Sequence, residues 1–146
     1  MKPLTRTLLP LPMRRSWQTT IFRPINTASS QYSQIFRLPD GRALGYADYG
    51  SPTGYPVIYC HGYPSSRLEG FMFDLHGTLH RNQIRLIAPD RPGFGLSTVK
   101  PDRRIMDWPA DVKVLAQHLG LSHFAVLGCS GAVPMHWHVH TGSLTS

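Results

Sequence analysis

The stretch that most constrains the fold of this chain is an apolar run that leads directly into a turn of small residues with a serine at its tip. The run is residues 123–127, and the turn that follows it is Gly128-Cys129-Ser130-Gly131-Ala132. Small residues around Ser130 suit a sharp passage from a strand to a helix, because the backbone must bend tightly there and approach its neighbours closely. The pattern therefore predicts a strand, then a serine turn (our name for residues 128–132), then a helix.

Upstream of this turn, short apolar runs predict the other strands of a sheet. Residues 34–38 and roughly 43–49 flank an Asp-Gly pair, which predicts an antiparallel hairpin at a sheet edge. Residues 56–60 and 84–88 lack polar alternation, which is typical of strands buried on both faces of a parallel sheet. With helical patterns between them, these runs indicate an α/β fold with a mainly parallel sheet of about five strands.

Two stretches have helical periodicity. Residues 68–79 carry apolar side chains three and four positions apart, which predicts a helix. A second helix is predicted from residue 107, with Asp107 as its cap, Pro109 in its first turn and Gly120 as a left-handed stop. Its apolar face is expected to comprise Trp108, Val112, Leu115, Ala116 and Leu119.

The net charge of +7 is concentrated at the N-terminus and does not indicate a nucleic-acid-binding protein. Residues 1–33 contain five of the fifteen Lys and Arg residues and no acid, whereas the rest of the chain is nearly balanced. A basic leader with Ser and Thr favours a mitochondrial transit peptide, but its prolines interrupt an amphipathic helix. A disordered basic N-terminus of a cytoplasmic protein is the alternative.

Other classes are excluded by simple counts. Two cysteines cannot form a disulfide framework, and no zinc-site spacing is present. No apolar run reaches the roughly 18 residues that a membrane-spanning helix needs. The predicted organisation is a leader at 1–33, a partial α/β domain at 34–134 and a tail at 135–146.

Three motifs, each at the end of a predicted strand, resemble the α/β-hydrolase superfamily, in particular its serine hydrolases. They are His61-Gly62-Tyr63-Pro64, then Asp90-Arg91-Pro92-Gly93-Phe94-Gly95-Leu96-Ser97, then the serine turn. They occur in the family's order, and the resemblance covers roughly residues 35–134.

The resemblance implies a nucleophile and an oxyanion hole. Ser130 would be the nucleophile, and the backbone N–H groups of Gly131 and Tyr63 would bind the oxyanion of the tetrahedral intermediate. Asp90 would belong to a structural turn. Residues with a loop-shaping role would be His61, Gly62, Pro64, Gly128 and Ala132. The implied reaction is hydrolysis of an ester, amide or similar small acyl substrate through an acyl-enzyme, with no cofactor and no metal.

In this family the catalytic acid and histidine follow the nucleophile along the chain, and here only sixteen residues follow Ser130. The sequence therefore predicts a truncated domain that is inactive as this chain. The alternative is a non-enzymatic fragment or pseudoenzyme acting as a binding module or without a function. One of the tail histidines (His136, His138 and His140) could replace the missing catalytic base, or the three could bind a metal ion, but a solvated tail is the favoured interpretation. In the family's strand order, one-two-four-three-five and onward, the strand at 123–127 is followed by further strands. Without them it would be an open edge of the sheet, which predicts a domain of marginal stability that self-associates.

Overall fold

The computed structural model describes residues 30–130, which form an open five-stranded mixed sheet in the order β1-β2-β4-β3-β5. Strand β1 pairs antiparallel with β2, and β2 pairs antiparallel with β4, whereas β3 runs parallel to both β4 and β5. The α/β class and the N-terminal hairpin at the sheet edge are thereby confirmed. The strands are Gln34–Arg37 (β1), Ala43–Gly50 (β2), Tyr55–Cys60 (β3), Ile84–Pro89 (β4) and Ala125–Gly128 (β5).

Several predictions fall outside the described residues. They concern nearly all of the basic leader, the helix after Ser130, the residues Gly131 and Ala132, and the tail at 135–146. The domain boundaries and the cellular location stay predictions.

The second predicted helix is present as α2 (Asp107–His118), and it packs its apolar face against one side of the sheet. Gly120 has φ +69° and donates its N–H to Gln117 O at 3.0 Å, which confirms the left-handed stop. The prediction that Asp107 caps the helix is wrong. Its carboxylate instead accepts the N–H of Arg104 at 3.0 Å and pairs with Lys100 at 3.2 Å, so it stabilises the turn before the helix.

The first predicted helix, at 68–79, is wrong in type. Residues Arg67–Gly77 form a 3₁₀ segment that breaks near His76, where φ is +62°, and only Thr78–Arg81 is α-helical (α1). Left-handed His76 and Gly77 cannot continue a right-handed helix. Gly70 lies so close to the sheet that an added Cβ would come within 2.5 Å of the Tyr49 ring, and this packing holds the segment against the strands.

The strand before the serine turn is shorter than predicted, because it begins at Ala125 and not at residue 123. Within residues 30–130 its ladder partner is β3 and its other edge is unpaired, and Leu127 on this strand is 41% exposed. None of the helices in this part of the chain has the length and apolar character required to span a membrane.

Candidate active site

The first residues of the serine turn continue the ladder of β5. Gly128 is paired with Cys60 at the end of β3, and Cys129 donates its N–H to Cys60 O at 3.1 Å. The next residue, Ser130, has φ +53° and an exposed side chain. A left-handed conformation is uncommon for a residue with a Cβ, and such strain concentrates at functional positions.

The loop after β3, residues 61–66, lies against the serine turn, and we call it the β3 loop. Gly62 is buried, and an added Cβ there would lie 3.4 Å from Ser130 Cβ and 3.6 Å from Cys129 O. The two segments meet because β3 and β5 are parallel neighbours whose carboxyl ends lie at the same edge of the sheet. The loop backbone at position 62 therefore lies beside Ser130, at a distance where a Cβ would make an ordinary van der Waals contact.

His61 is completely buried and uses both ring nitrogens inside the fold. Its Nε2 lies 3.1 Å from the backbone N of Arg91, which can only donate, so Nε2 accepts and Nδ1 carries the hydrogen that Gly62 O accepts at 2.8 Å. Burial lowers the pKa of His61, which favours the neutral ring. The side chain therefore ties the β3 loop to the loop after β4 and has no free nitrogen for proton transfer.

Asp90 is also completely buried and fully engaged. Its carboxylate accepts the backbone N–H of Arg67 at 2.6 Å, the Arg67 guanidinium at 2.9 Å and the N–H of Leu96 at 2.9 Å. A Cβ added to Gly95 would come within 2.1 Å of this carboxylate, so the loop after β4 wraps around it. This environment matches a structural turn.

The other predicted site residues line the same end of the sheet. The Tyr63 side chain is 77% exposed, and its ring meets the edge of Phe94 at a centroid distance of 6.0 Å. Pro64, joined to Tyr63 by a cis peptide bond, is exposed, and Gly128 is partly buried at the end of β5. The second expected oxyanion donor, the N–H of Gly131, lies beyond the described residues.

Sequence reasoning missed two residues at this end of the sheet, Glu69 and Tyr59. Glu69 Oε2 accepts the N–H of Gly62 at 3.3 Å, and the hydroxyls of Ser65 and Tyr59 also hydrogen-bond to this carboxylate. Burial alone would raise the pKa of Glu69, but these hydrogen bonds outweigh it and lower the pKa. No motif could have indicated this, because the contacts join a strand, a loop and the 3₁₀ segment through the tertiary fold.

The described part of the chain holds no cluster of three or more His, Cys, Asp or Glu side chains that could bind a metal ion. The tail histidines considered above lie outside that part.

Comparison with known proteins places this arrangement in a wider group. The family model described as "alpha/beta hydrolase fold" matches residues 55–131, which include β3, β4, β5 and the loops that follow them. A proline iminopeptidase of Xanthomonas citri is 30% identical over 97 residues, which cover 64% of this chain and 30% of that protein. A non-heme chloroperoxidase of Streptomyces lividans is 34% identical over 96 residues, which cover 62% of this chain and 33% of that protein.

Among solved structures, a hydrolase from Pseudomonas aeruginosa superimposes with a TM-score of 0.58 at 24% identity, covering 67% of this chain and 36% of that one. The chain spans about a third of the length of the curated relatives named above. More than half of its residues lie within the matched family model, and the left-handed Ser130 stands at the end of that match. This chain belongs to the family of the alpha/beta hydrolase fold.

Proposed function

We propose that Ser130 is the nucleophile of a hydrolase that acts on an ester, an amide or a similar small acyl substrate. The observation that carries this proposal is the strained and exposed position of Ser130 immediately after β5. A serine held on such a turn presents its hydroxyl to a substrate, and the backbone N–H of the next residue can face the same substrate. Attack of the hydroxyl oxygen on the acyl carbon would form an acyl-enzyme and release the alcohol or amine, which takes up the serine proton; water then hydrolyses the acyl-enzyme to the carboxylic acid and free Ser130.

The oxyanion of the tetrahedral intermediate would be bound by the backbone N–H groups of Gly131 and Tyr63. Support comes from the position of Gly62, where an added Cβ would lie 3.4 Å from Ser130 Cβ, so that the backbone preceding Tyr63 lies near the nucleophile. Loss of one donor of this kind costs roughly 100- to 1,000-fold in rate. His61, Gly62, Pro64, Gly128 and Ala132 would shape the two segments without transferring protons.

A second candidate function is binding without turnover, by a non-enzymatic fragment or pseudoenzyme. The observation that favours it is that the histidine and the aspartate nearest to the motifs, His61 and Asp90, are already committed to structural hydrogen bonds. A serine hydroxyl without a base is a weak nucleophile.

A fluorophosphonate probe applied to the full chain, followed by peptide mass spectrometry, separates the two candidates. Covalent labelling at Ser130 that disappears in Ser130→Ala supports the hydrolase. Ser122→Ala is the matched control, because Ser122 is an exposed serine outside the turn whose hydroxyl lies 3.0 Å from His123 Nδ1. Absence of labelling and of esterase activity contradicts the hydrolase and leaves the binding module.

We also propose that the outer edge of β5 mediates self-association. Unpaired strand edges with apolar side chains are sites at which a second chain can add a strand, and Leu127 is exposed on β5. Sedimentation velocity on the full chain and on Leu127→Lys tests this, since a charge on an edge strand opposes pairing. A wild-type chain that stays monomeric across a concentration series contradicts the proposal.

A further inference from the structure

We infer that Glu69, acting together with Tyr59, is a positioning residue that holds the β3 loop in register with the serine turn. The inference rests on the proposed function of Ser130, because the loop and the turn would carry the two oxyanion donors. Glu69 itself belongs to the 3₁₀ segment and acts on the site through other groups.

On the loop side, Glu69 holds two positions that flank the proposed donor. Its Oε2 accepts the N–H of Gly62 at 3.3 Å, and the Ser65 hydroxyl hydrogen-bonds to the same carboxylate. Tyr63 lies between these two anchored residues, and its side chain is almost entirely in solvent. The backbone of Tyr63 is therefore held largely by its neighbours and not by its own side chain.

On the turn side, the link runs through Tyr59. This β3 residue is 2% exposed, and its ring is held edge-on by Phe73 at a centroid distance of 4.9 Å. Glu69 and Cys129, the residue directly before Ser130, both act on the pKa of the Tyr59 hydroxyl, and Cys129 donates its N–H to O of Cys60, the residue after Tyr59, at 3.1 Å. Burial and these two neighbours raise the pKa of Tyr59, so the hydroxyl stays protonated and can donate.

The Glu69 carboxylate thus holds the loop directly and acts on the hydroxyl of Tyr59, whose strand pairs with the strand before the turn. A carboxylate is suited to this task because it only accepts hydrogen bonds and can take several at once. Hydrogen bonds to a charged acceptor are stronger than neutral ones. Fixing donors before the reaction is what makes an oxyanion hole effective, since no reorganisation is then needed as charge develops.

Three variants separate positioning from simple loss of stability. Glu69→Ala removes the acceptor, Glu69→Gln keeps one acceptor oxygen, and Tyr59→Phe removes only the bridging hydroxyl. Asp74→Ala is the matched control, because Asp74 is a partly buried acid of the same 3₁₀ segment whose carboxylate accepts the N–H of Leu79 at 3.2 Å.

The experiment measures fluorophosphonate labelling of Ser130 in the full chain, resolved into the rate constant kinact and the binding constant KI. For Glu69→Ala we expect kinact to fall about 10- to 100-fold, less than the loss of a whole donor, with KI nearly unchanged. The kinact of Glu69→Gln should be higher than that of Glu69→Ala but lower than that of wild type. Tyr59→Phe should have a kinact between those of wild type and Glu69→Ala, and Asp74→Ala should have the wild-type kinact. Equal kinact in wild type and Glu69→Ala overturns the inference.

Amide hydrogen exchange of residues 61–65 is a second measurement, which does not require Ser130 to react with the probe. If the wild-type chain is not labelled, the proposed function fails and exchange alone decides this inference. Faster exchange of the β3 loop in Glu69→Ala and Tyr59→Phe, but not in Asp74→Ala, supports it. Unchanged exchange in the two site variants overturns it.

Discussion

Replacing Ser130 with glycine is expected to stabilise the chain while removing its proposed nucleophile. At φ +53°, a residue with a Cβ carries a cost of roughly 1–2 kcal/mol that glycine does not have. Glycine has more freedom in the unfolded state, which lowers the free energy of unfolding by about 0.4–1 kcal/mol. Because the Ser130 side chain is exposed, little packing is lost, and the net gain is about 0.5–1 kcal/mol.

Two controls separate the strain from the other effects of this substitution. Ser130→Ala removes the hydroxyl but keeps the Cβ and its strain, so it should leave the free energy of unfolding close to that of wild type. Ser122→Gly introduces glycine at an exposed serine that lies outside the left-handed region, and it should be destabilising by about 0.5–1 kcal/mol.

The assay is urea unfolding of the full chain, followed by circular dichroism, with midpoints compared at a common slope. The order expected for the free energy of unfolding is Ser130→Gly above Ser130→Ala, and Ser122→Gly lowest. A Ser130→Gly chain no more stable than Ser130→Ala would refute the argument that strain is stored at this position. Loss of fluorophosphonate labelling in both Ser130 variants should accompany the stability measurement.

Three further outcomes follow from the contacts around the site. Asp90→Asn leaves the buried Arg67 guanidinium without its counter-charge, so in urea unfolding it should cost about 3–5 kcal/mol, whereas Asp40→Asn at an exposed ion pair should cost at most about 1 kcal/mol. An NMR titration should give the His61 ring a pKa below its ordinary value of 6.5. Because the pKa is lower in the folded chain, the contribution of neutral His61 to the free energy of unfolding is complete above the unfolded-state pKa and is lost as the pH falls toward the folded-state pKa. Gly120→Ala should cost about 1 kcal/mol in thermal or urea unfolding, and no more, because a Cβ there meets no atom within 4 Å and only backbone strain remains.

The elements that could be predicted from the sequence are those that local residues determine. The four upstream strands follow from short apolar runs and turn residues, and the end of α2 follows from Gly120 because a left-handed stop is a local requirement. The helix predicted at 68–79 failed because His76 and Gly77 are left-handed, and the apolar spacing does not signal that break. The cap predicted at Asp107 failed for a local reason, since the N–H of Arg104 and the ammonium group of Lys100 take up its carboxylate.

The residues of the candidate site also differ in whether local sequence could predict them. The position of Ser130 on a turn after a strand could be predicted, because the small residues around it are a local signal. The role of Glu69 could not, because its partners Gly62 and Tyr59 reach it only once β3 and the 3₁₀ segment are packed together. A motif search finds residues that a reaction needs at fixed spacing, and it does not find residues that hold those segments in place.

The strand order explains why three motifs that are separate in the sequence form one unit. With β3 between β4 and β5, the loop after β3 has the loop after β4 on one side and the serine turn on the other. His61 accepts a hydrogen bond from Arg91 in the first, and Gly62 lies beside Ser130 in the second. The β3 loop is therefore held on both flanks, and a change in the Asp90 loop should reach the proposed oxyanion hole through it. Chemistry at Ser130 would then depend on a buried ion pair that touches neither the nucleophile nor the substrate.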